Sequence, residues 1–540
     1  MYAVSCSDET TIFENNQDNI IIETNQNVLD NSINFENAGV LIINDDESIT
    51  GKRQITGKSF ADGEQAVGDY PLTLVAQIDP PSFSGGENLT ASHVDIDGNF
   101  AYVSYNTVEE DYVGAIDVID ISDPNTPTIA SRLYYTNADI NSIAYSNGFI
   151  YIAGGFDSER SAAISFNSFV AKITSTNGSI NLGAGIQYGF QKGFVGTDVE
   201  IIGNNVLFTS GKDGTIGMYN TNDVTTALNT QDFTDLRSVA SSNGRLAILD
   251  ADQGVNIIDE NLNVTSTIAI NSDFGIANKR TLDFYNDKII VAEGAQGAGM
   301  YNIATGDLES YIPILSNPAD VASEDIVTNA VAADDSIILM ANGGAGLSLS
   351  ENTATSTEAV GIIELSASIN YVEAKGDYIF AASGKDGLQI IKMNKPSESL
   401  AARCSSLSAY SGRRNLTVDP GETLAFSVDN RFGRINVNGN LLFCGTSTAN
   451  SDVSIGTNGL FEMNGSFFVG NNNRRRNITV GENGTFRVEG DVSIFGDLIL
   501  NDNATLEFIG ENSTISISGN VRRSNSATVI GTFNDINNAF

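Results

Sequence analysis

Carboxylates are plentiful in this chain, but the other side chains that carry acid–base, nucleophilic or metal chemistry are scarce. His93 is the sole histidine, so a Ser-His-Asp or Cys-His relay has to run through it. It lies in "TASHVDIDGN", at the head of an apolar stretch, where a structural place in a strand is the expectation. A histidine-rich metal site is excluded by count, and no CxxC, P-loop, HExxH or GxGxxG ahead of a helix occurs. Asp and Glu total 67, which leaves a two-carboxylate glycosidase open. Tryptophan, the strongest platform for stacking a sugar, is absent, although 17 Tyr and 27 Phe remain. "DIDGN" at Asp95 and "DADQG" at Asp250 offer oxygen ligands without the spacing of a twelve-residue calcium loop, and ordinary Asp-Gly turns explain both. No cofactor is therefore expected, with calcium the one to test for.

Lys and Arg number 28, giving a formal charge of −39. That excess keeps a protein in solution and argues against nucleic acid or an anionic membrane face as partner, while leaving cationic ligands open. No apolar run approaches the roughly 20 residues of a spanning helix. The charge is unevenly placed: residues 403–540 hold 11 Arg, no Lys and 13 acids, whereas the first 402 carry a net −37. Two domains of different character follow, with a boundary near "NKPSESLAARCSS".

A thirteen-residue pattern recurs seven times: VDIDGNFAYVSYN from Val94, IAYSNGFIYIAGG from Ile143, VEIIGNNVLFTSG from Val199, VASSNGRLAILDA from Val239, LDFYNDKIIVAEG from Leu282, AVAADDSIILMAN from Ala330 and VEAKGDYIFAASG from Val372. Its fifth and sixth positions read GN, NG, GN, NG, ND, DD and GD, residues that accept positive φ at the centres of a tight hairpin turn. A third apolar run follows each pair and a fourth precedes the next copy. Four strands per unit, at spacings of 40–56 residues, describe the blade of a β-propeller. The seventh unit lacks its fourth strand, and LTLVAQI at residues 72–78 has no blade of its own, so it is expected to close the ring over residues 71–396.

Loops between the second and third strands share one propeller face and are the candidate ligand positions: Lys212 and Asp213, Asp252 and Gln253, Gln296, and Lys385 and Asp386. "GKDG" occurs twice, on blades three and seven, where a repeated turn is the simpler explanation. Residues 397–540 read as short alternating strands broken by NG, DN and EN turns, which suits a β-solenoid, with a β-sandwich as the alternative. Arginines cluster there at Arg413/Arg414, Arg431/Arg434, Arg474, Arg475 and Arg476, and Arg522/Arg523, either as solvated turn residues or as a basic stripe for carboxylate or phosphate groups. Cys404 and Cys444, 40 residues apart, can pair in an oxidising compartment or remain buried thiols, and Cys6 is left over. Residues 7–70 are rich in Asn, Asp, Glu and Gln and read as a flexible acidic tether after the start, completing residues 1–70.

Two resemblances bear on function. The first unit, with Val118, Ile119, Asp120, Ile121, Ser122, Asp123, Pro124 and Pro127, resembles the LVIVD-type repeat of bacterial surface propellers. The later units keep the hairpin and lose the Asp-Pro tail. "AVSC" with "SDE" after it resembles the lipobox and export signal of Bacteroidetes-type surface lipoproteins, with Cys6 as the lipid site, although five residues are too few for a signal peptide. The Asp-box of sialidases is not matched, since "SGKDGTIGMY" from Ser210 lacks its spacing and tryptophan. These resemblances imply a non-catalytic, lipid-anchored binding or scaffold protein at the outer membrane or cell surface. Its expected partner is a surface glycan or an outer-membrane protein, without nucleic acid, and its membrane contact is through an N-terminal lipid alone. A carboxylate-dependent carbohydrate enzyme and a structural surface-layer or stalk component are the alternatives.

Overall fold

A computed structural model describes residues 20–23, 25–41, 43–44, 72–82, 89–107, 112–157, 164–276, 279–315, 318, 320–333, 337–352, 357–363, 365–393, 399–405, 407–510 and 512–540. Seven antiparallel sheets make a propeller, and parallel sheets make a solenoid after it. The inner strands of the seven blades are Thr90–Asp97, Ala138–Ser146, Asp198–Ile202, Leu236–Ser242, Leu282–Tyr285, Ile326–Ala333 and Tyr371–Lys375. In blades one to five and seven each is joined to its second strand by the tight turn that its Gly, Asn or Asp pair permits; Asn147, Asn243 and Asn286 all hold positive φ there.

Both faces of a blade are covered by its neighbours, so strands that would alternate apolar and polar in an open sheet are apolar on both sides. Val94, Val103 and Tyr105 of blade one meet Phe380, Leu388 and Ile390 of blade seven. The opposite face of the same blade, through Tyr102, Ile116 and Val118, meets Ile143, Ile150 and Ile152 of blade two. Leu72–Ile78 pairs with Leu388–Met393 and supplies the outer strand of blade seven, closing the ring with a strand from the other end of the propeller sequence.

Two findings depart from the sequence reading. In the sixth unit Ala333 pairs with Ile338, so the frame sits one residue later than the repeat alignment, and Val331 rather than Ala330 is the counterpart of Val94. Part of the stretch expected as a flexible tether is folded onto the propeller rim. Ile20–Glu23 adds to the outer strand of blade one, Ile33–Asn34 and Gly39–Leu41 pair with Leu72–Ile78, and Ile43–Asn44 joins blade six. These strands cover outer edges that otherwise expose backbone donors and acceptors. The buried pair Arg132–Asp117 extends this contact, because Arg132 Nη1 also donates to Ser32 Oγ at 3.1 Å.

In the second domain parallel pairing stacks each rung on the last, which decides for the solenoid. One sheet stacks Leu416–Val418, Ile435–Val437, Val453–Ile455, Ile478–Val480, Leu498–Leu500 and Val521–Arg523; the other stacks the ten-residue strands Thr423–Phe432, Asn440–Ala449, Leu460–Val469 and Thr485–Ile494 and continues in shorter ones. The first and third residues of the first five short strands point inward onto a column of phenylalanines that includes Phe432, Phe443, Phe461 and Phe486, whereas Arg523 of the sixth is exposed. The long strands turn at a column of glycines in register, Gly445, Gly465 and Gly490, with φ of 123°, 123° and 127°. A Cβ at Gly465 would sit 2.3 Å from the Gly445 carbonyl oxygen, so glycine is required in that column.

The segment opening this domain lies across the outer face of the long strands. Cys404 and Cys444 form a disulfide, with Cα atoms 5.6 Å apart, beside the apolar group Leu400, Leu442 and Ile509. Arg403 grips the buried Glu462 with two bonds of 2.9 and 2.7 Å, and Arg487 bridges Glu462 and Glu507 at 2.6 Å each. Burial alone would raise Glu462, but bonds from Arg403 and Arg487 outweigh it and hold the carboxyl below its usual range. Replacing Cys404 and Cys444 by serine is expected to lower the stability of this domain by about 4 kcal/mol, from the entropy of closing such a loop. Hydrogen exchange of the rung amides with and without the substitutions measures it.

Candidate functional site

The inner strands are also the source of the most concentrated polar chemistry in the propeller. Each has one edge bonded to its own blade and one edge facing the axis, where backbone groups need other partners. The preceding blade supplies them. Val199 N donates to Ser142 Oγ at 3.4 Å, Val239 N to Asp198 Oδ2 at 3.0 Å, and Val331 N to Thr281 Oγ1 at 3.0 Å. Two residues further along, Tyr145 N donates to Asp95 Oδ2 at 2.6 Å and Ala333 N to Asp283 Oδ2 at 2.9 Å. One residue before this series, Ser92, Asn141, Asn329 and Asn370 donate to the carbonyls of Ile140, Gly196, Ile369 and Ala91 of their neighbouring blades.

Side chains left facing the axis line a cavity of about 280 Å³. In the register of Asp95, the seven blades present Asp95, Ala144, Glu200, Ala240, Asp283, Ala332 and Glu373. Carboxylates and alanines alternate, except where blades seven and one meet and Glu373 neighbours Asp95. Burial pushes Asp95 and Asp283 up to about 6, and Glu200 up to about 8, the last further raised by Asp198, Asp95 and Asp283. Glu373 is raised by burial and then by Asp95, Asp283 and Glu200. Glu200 Oε1 accepts from Ser241 Oγ at 2.6 Å, which offsets only part of this. All four remain partly accessible, so enclosure by protein around a narrow lumen raises them even though water reaches them.

Lys279 enters from the end of the channel opposite the hairpins. Its Nζ donates to the carbonyls of Asn141 at 2.9 Å and Ser92 at 3.2 Å, on blades one and two, and lies 5.0 Å from the centre of the Tyr371 ring. Burial lowers it to about 7, against the pull of Asp198. His93 lies against the same tyrosine, ring centres 3.8 Å apart, and lines the cavity while 7% exposed. Burial and then Lys279 push the imidazole well below its ordinary pKa, and Nδ1 has no hydrogen-bond partner.

Of the residues singled out in the sequence, His93 and Asp95 line this channel, and the loop and arginine candidates lie elsewhere. Lys212 and Asp213, Asp252 and Gln253, Gln296, and Lys385 and Asp386 occupy separate outward loops between second and third strands, mostly exposed. Their backbones make local turns: Gln253 N donates to Asp250 O, Gln296 N to Glu293 O and Asp386 N to Ser383 O. Arg474, Arg475 and Arg476 sit in the connection between Leu460–Val469 and Ile478–Val480, where successive short strands start 25 residues apart instead of the preceding 18 or 19. Arg476 Nε holds Asn450 O at 3.2 Å. Arg434, Asp452, Asn477 and Asp497 occupy equivalent places ahead of successive short strands, and Arg522 pairs with Asp497 at 2.9 Å, so acids interrupt the arginines. Among the described residues no group of three His, Cys, Asp or Glu side chains comes together to hold a metal ion. Cys6 lies outside the described residues.

Sequence reasoning passed over Glu200, Asp283 and Glu373 because each is one acid among many. The available signal was the second position of the repeat, which reads D, A, E, A, D, V and E until the sixth frame is shifted by one, when V becomes A.

No family model matches the chain, and no curated protein matches it. Solved structures similar to it include the WD40 β-propeller domain of Doa1, at 11% identity and a TM-score of 0.41, covering 58% of this chain and 96% of that one. The computationally designed Ika8 protein is 12% identical with a TM-score of 0.36, covering 57% and 98%. A chain of the mitotic checkpoint complex is 12% identical with a TM-score of 0.44, covering 62% and 98%. The likeness is one of fold, a β-propeller, and extends no further.

The raised carboxyls set a direction for pH dependence. The folded propeller holds protons that the unfolded chain releases, so this contribution is fully present below about pH 4 and lost as pH rises to about 8; the lowered Lys279 acts in the opposite sense above about 7. Glu200→Gln is expected to raise the melting temperature at pH 8 by about 2 °C or more and to leave it unchanged at pH 4. Thermal unfolding of both proteins across this range checks it.

Proposed function

We propose that the chain is a non-catalytic binding and scaffold protein of the bacterial surface, a lipoprotein anchored through Cys6 whose propeller is of the LVIVD type. A surface glycan or an outer-membrane protein is its macromolecular partner. One observation carries the binding reading. The polar side chains converging in the propeller are engaged in joining blades and lining an acidic channel, and the only histidine is buried against Tyr371 with its pKa depressed. The Cys404–Cys444 cross-link supports an oxidising address. Two rigid β platforms in one chain suit a scaffold, because binding residues on regular strands lose little freedom on association.

The address and the partner are tested on the full chain, because residues 20–44 contribute strands to the propeller and cannot be trimmed away as a tether. Mass spectrometry of natively expressed protein is expected to find Cys6 as the lipid-modified first residue; an unmodified Cys6 still preceded by Met1 to Ser5 rejects the anchor. A glycan array with the full chain is expected to show selective retention of a glycan class. An enzyme would instead release reducing ends from retained glycans, with loss of that activity in Asp95→Asn or Glu373→Gln.

A further inference from the structure

We propose that the propeller channel binds a small organic diammonium, its ammonium groups on the ring of Asp95, Glu200, Asp283 and Glu373 and its methylenes against Ala144, Ala240 and Ala332. The inference is independent of the protein's cellular address and of what the solenoid or the outer loops bind.

Three features of the channel select this class of ligand. The first is the alternation. Carboxylates separated by alanines around a ring share a lumen without converging on a point, and no metal-holding group forms among the described residues. A cation that distributes its charge over two ends meets more of the ring than a bare metal ion does. The mutual repulsion that raises Glu373 through Asp95, Asp283 and Glu200 is relieved by the same ligand.

The second is Lys279, which shows how this channel receives a primary amine. Its Nζ rests on two free-edge carbonyls, those of Ser92 and Asn141, and near the face of Tyr371. Carbonyls and an aromatic face that meet a primary amine are therefore already in place at one end, where burial favours its neutral form, while the carboxylates further along, which favour a cation, have no lysine of their own inside the cavity. Lys375 lies near Glu373 but is exposed at the hairpin mouth, where it donates to Gly98 O.

The third is His93. It lines the same cavity, is 7% exposed, and keeps Nδ1 without a partner. A buried polar atom left unbonded costs free energy that a donor supplied by a ligand recovers. A neutral imidazole nitrogen accepts an N–H, which an ammonium offers. The cavity's volume of about 280 Å³ equals that of about nine waters, enough for a chain of four or five carbons with water beside it.

The probes are 1,4-diaminobutane and 1,5-diaminopentane, with 1-aminobutane, Ca²⁺ and Mg²⁺ as comparisons. Calorimetric titration of the full chain is run in about 0.15 M salt, where exposed charges are screened beyond about 8 Å. Binding of one diamine per chain is expected at pH 8. It is expected to be at least about tenfold tighter than 1-aminobutane, and to weaken by at least about tenfold at pH 5 and in Glu200→Gln/Glu373→Gln. Asp223→Asn, an exposed acid on the outer strand of blade three, is expected to bind as the parent does. A diamine that binds no better than 1-aminobutane, keeps its affinity in the double variant, or is displaced by Ca²⁺ or Mg²⁺ as the tighter ligand overturns the proposal. Ala240→Lys provides a second reading by tethering an ammonium to the opposite wall. It is expected to raise the melting temperature at pH 8 and abolish diamine binding, and a folded Ala240→Lys protein with unchanged affinity also overturns it.

Discussion

Seven inner strands each turn an unpaired edge toward one axis, and the propeller depends on how those edges are satisfied. A backbone N–H left unbonded in an enclosed place is costly. The ring meets the requirement by a staggered system in which a side chain on one blade serves the backbone of the next: Ser142 for Val199, Asp198 for Val239, Thr281 for Val331, Asp95 for Tyr145 and Asp283 for Ala333. The same bonds set the angular spacing of the blades and select small polar or acidic residues at the axis. Apolar packing between blades then fills the space that this spacing leaves.

The electrostatics of the channel follow from that arrangement. Asp95 and Asp283 are held by one backbone amide each from the adjoining blade, and Glu200 by Ser241, yet enclosure keeps all three above the ordinary carboxylate range. The alanines between them prevent a solid core from forming along the axis and leave room for water or a guest. Lys279 closes one end by reaching across to blades one and two, so the channel is asymmetric along its length.

The solenoid solves the edge problem differently, by stacking each strand on a parallel neighbour. In-register stacking aligns like with like: Gly445, Gly465 and Gly490 form one column, and Phe461 and Phe486 stand in register in another. Stacking of charges would be unfavourable if they were alike, and the alternation Glu462, Arg487, Glu507 up the outer face avoids it. Arg403 and the Cys404–Cys444 bond fasten the opening segment over this ladder.

Much of this architecture was legible in the chain itself. Short-range chemistry determined it: Asn-Gly and Gly-Asn pairs specify tight turns, apolar runs of strand length specify the blades, and the missing fourth strand of the seventh unit called for Leu72–Ile78. Alternating residues in the second domain determined short strands but left solenoid and sandwich open, because both bury one strand face and only parallel pairing distinguishes them. Residues 20–44 looked like a tether because pairing to a distant edge leaves little trace in composition. The channel was decided by tertiary structure alone. Asp95, Glu200, Asp283 and Glu373 are 105, 83 and 90 residues apart, and in sequence each is one acid of an acidic protein. Closing the ring brings them around a single lumen, where enclosure and mutual repulsion give them a character that neither composition nor spacing possesses.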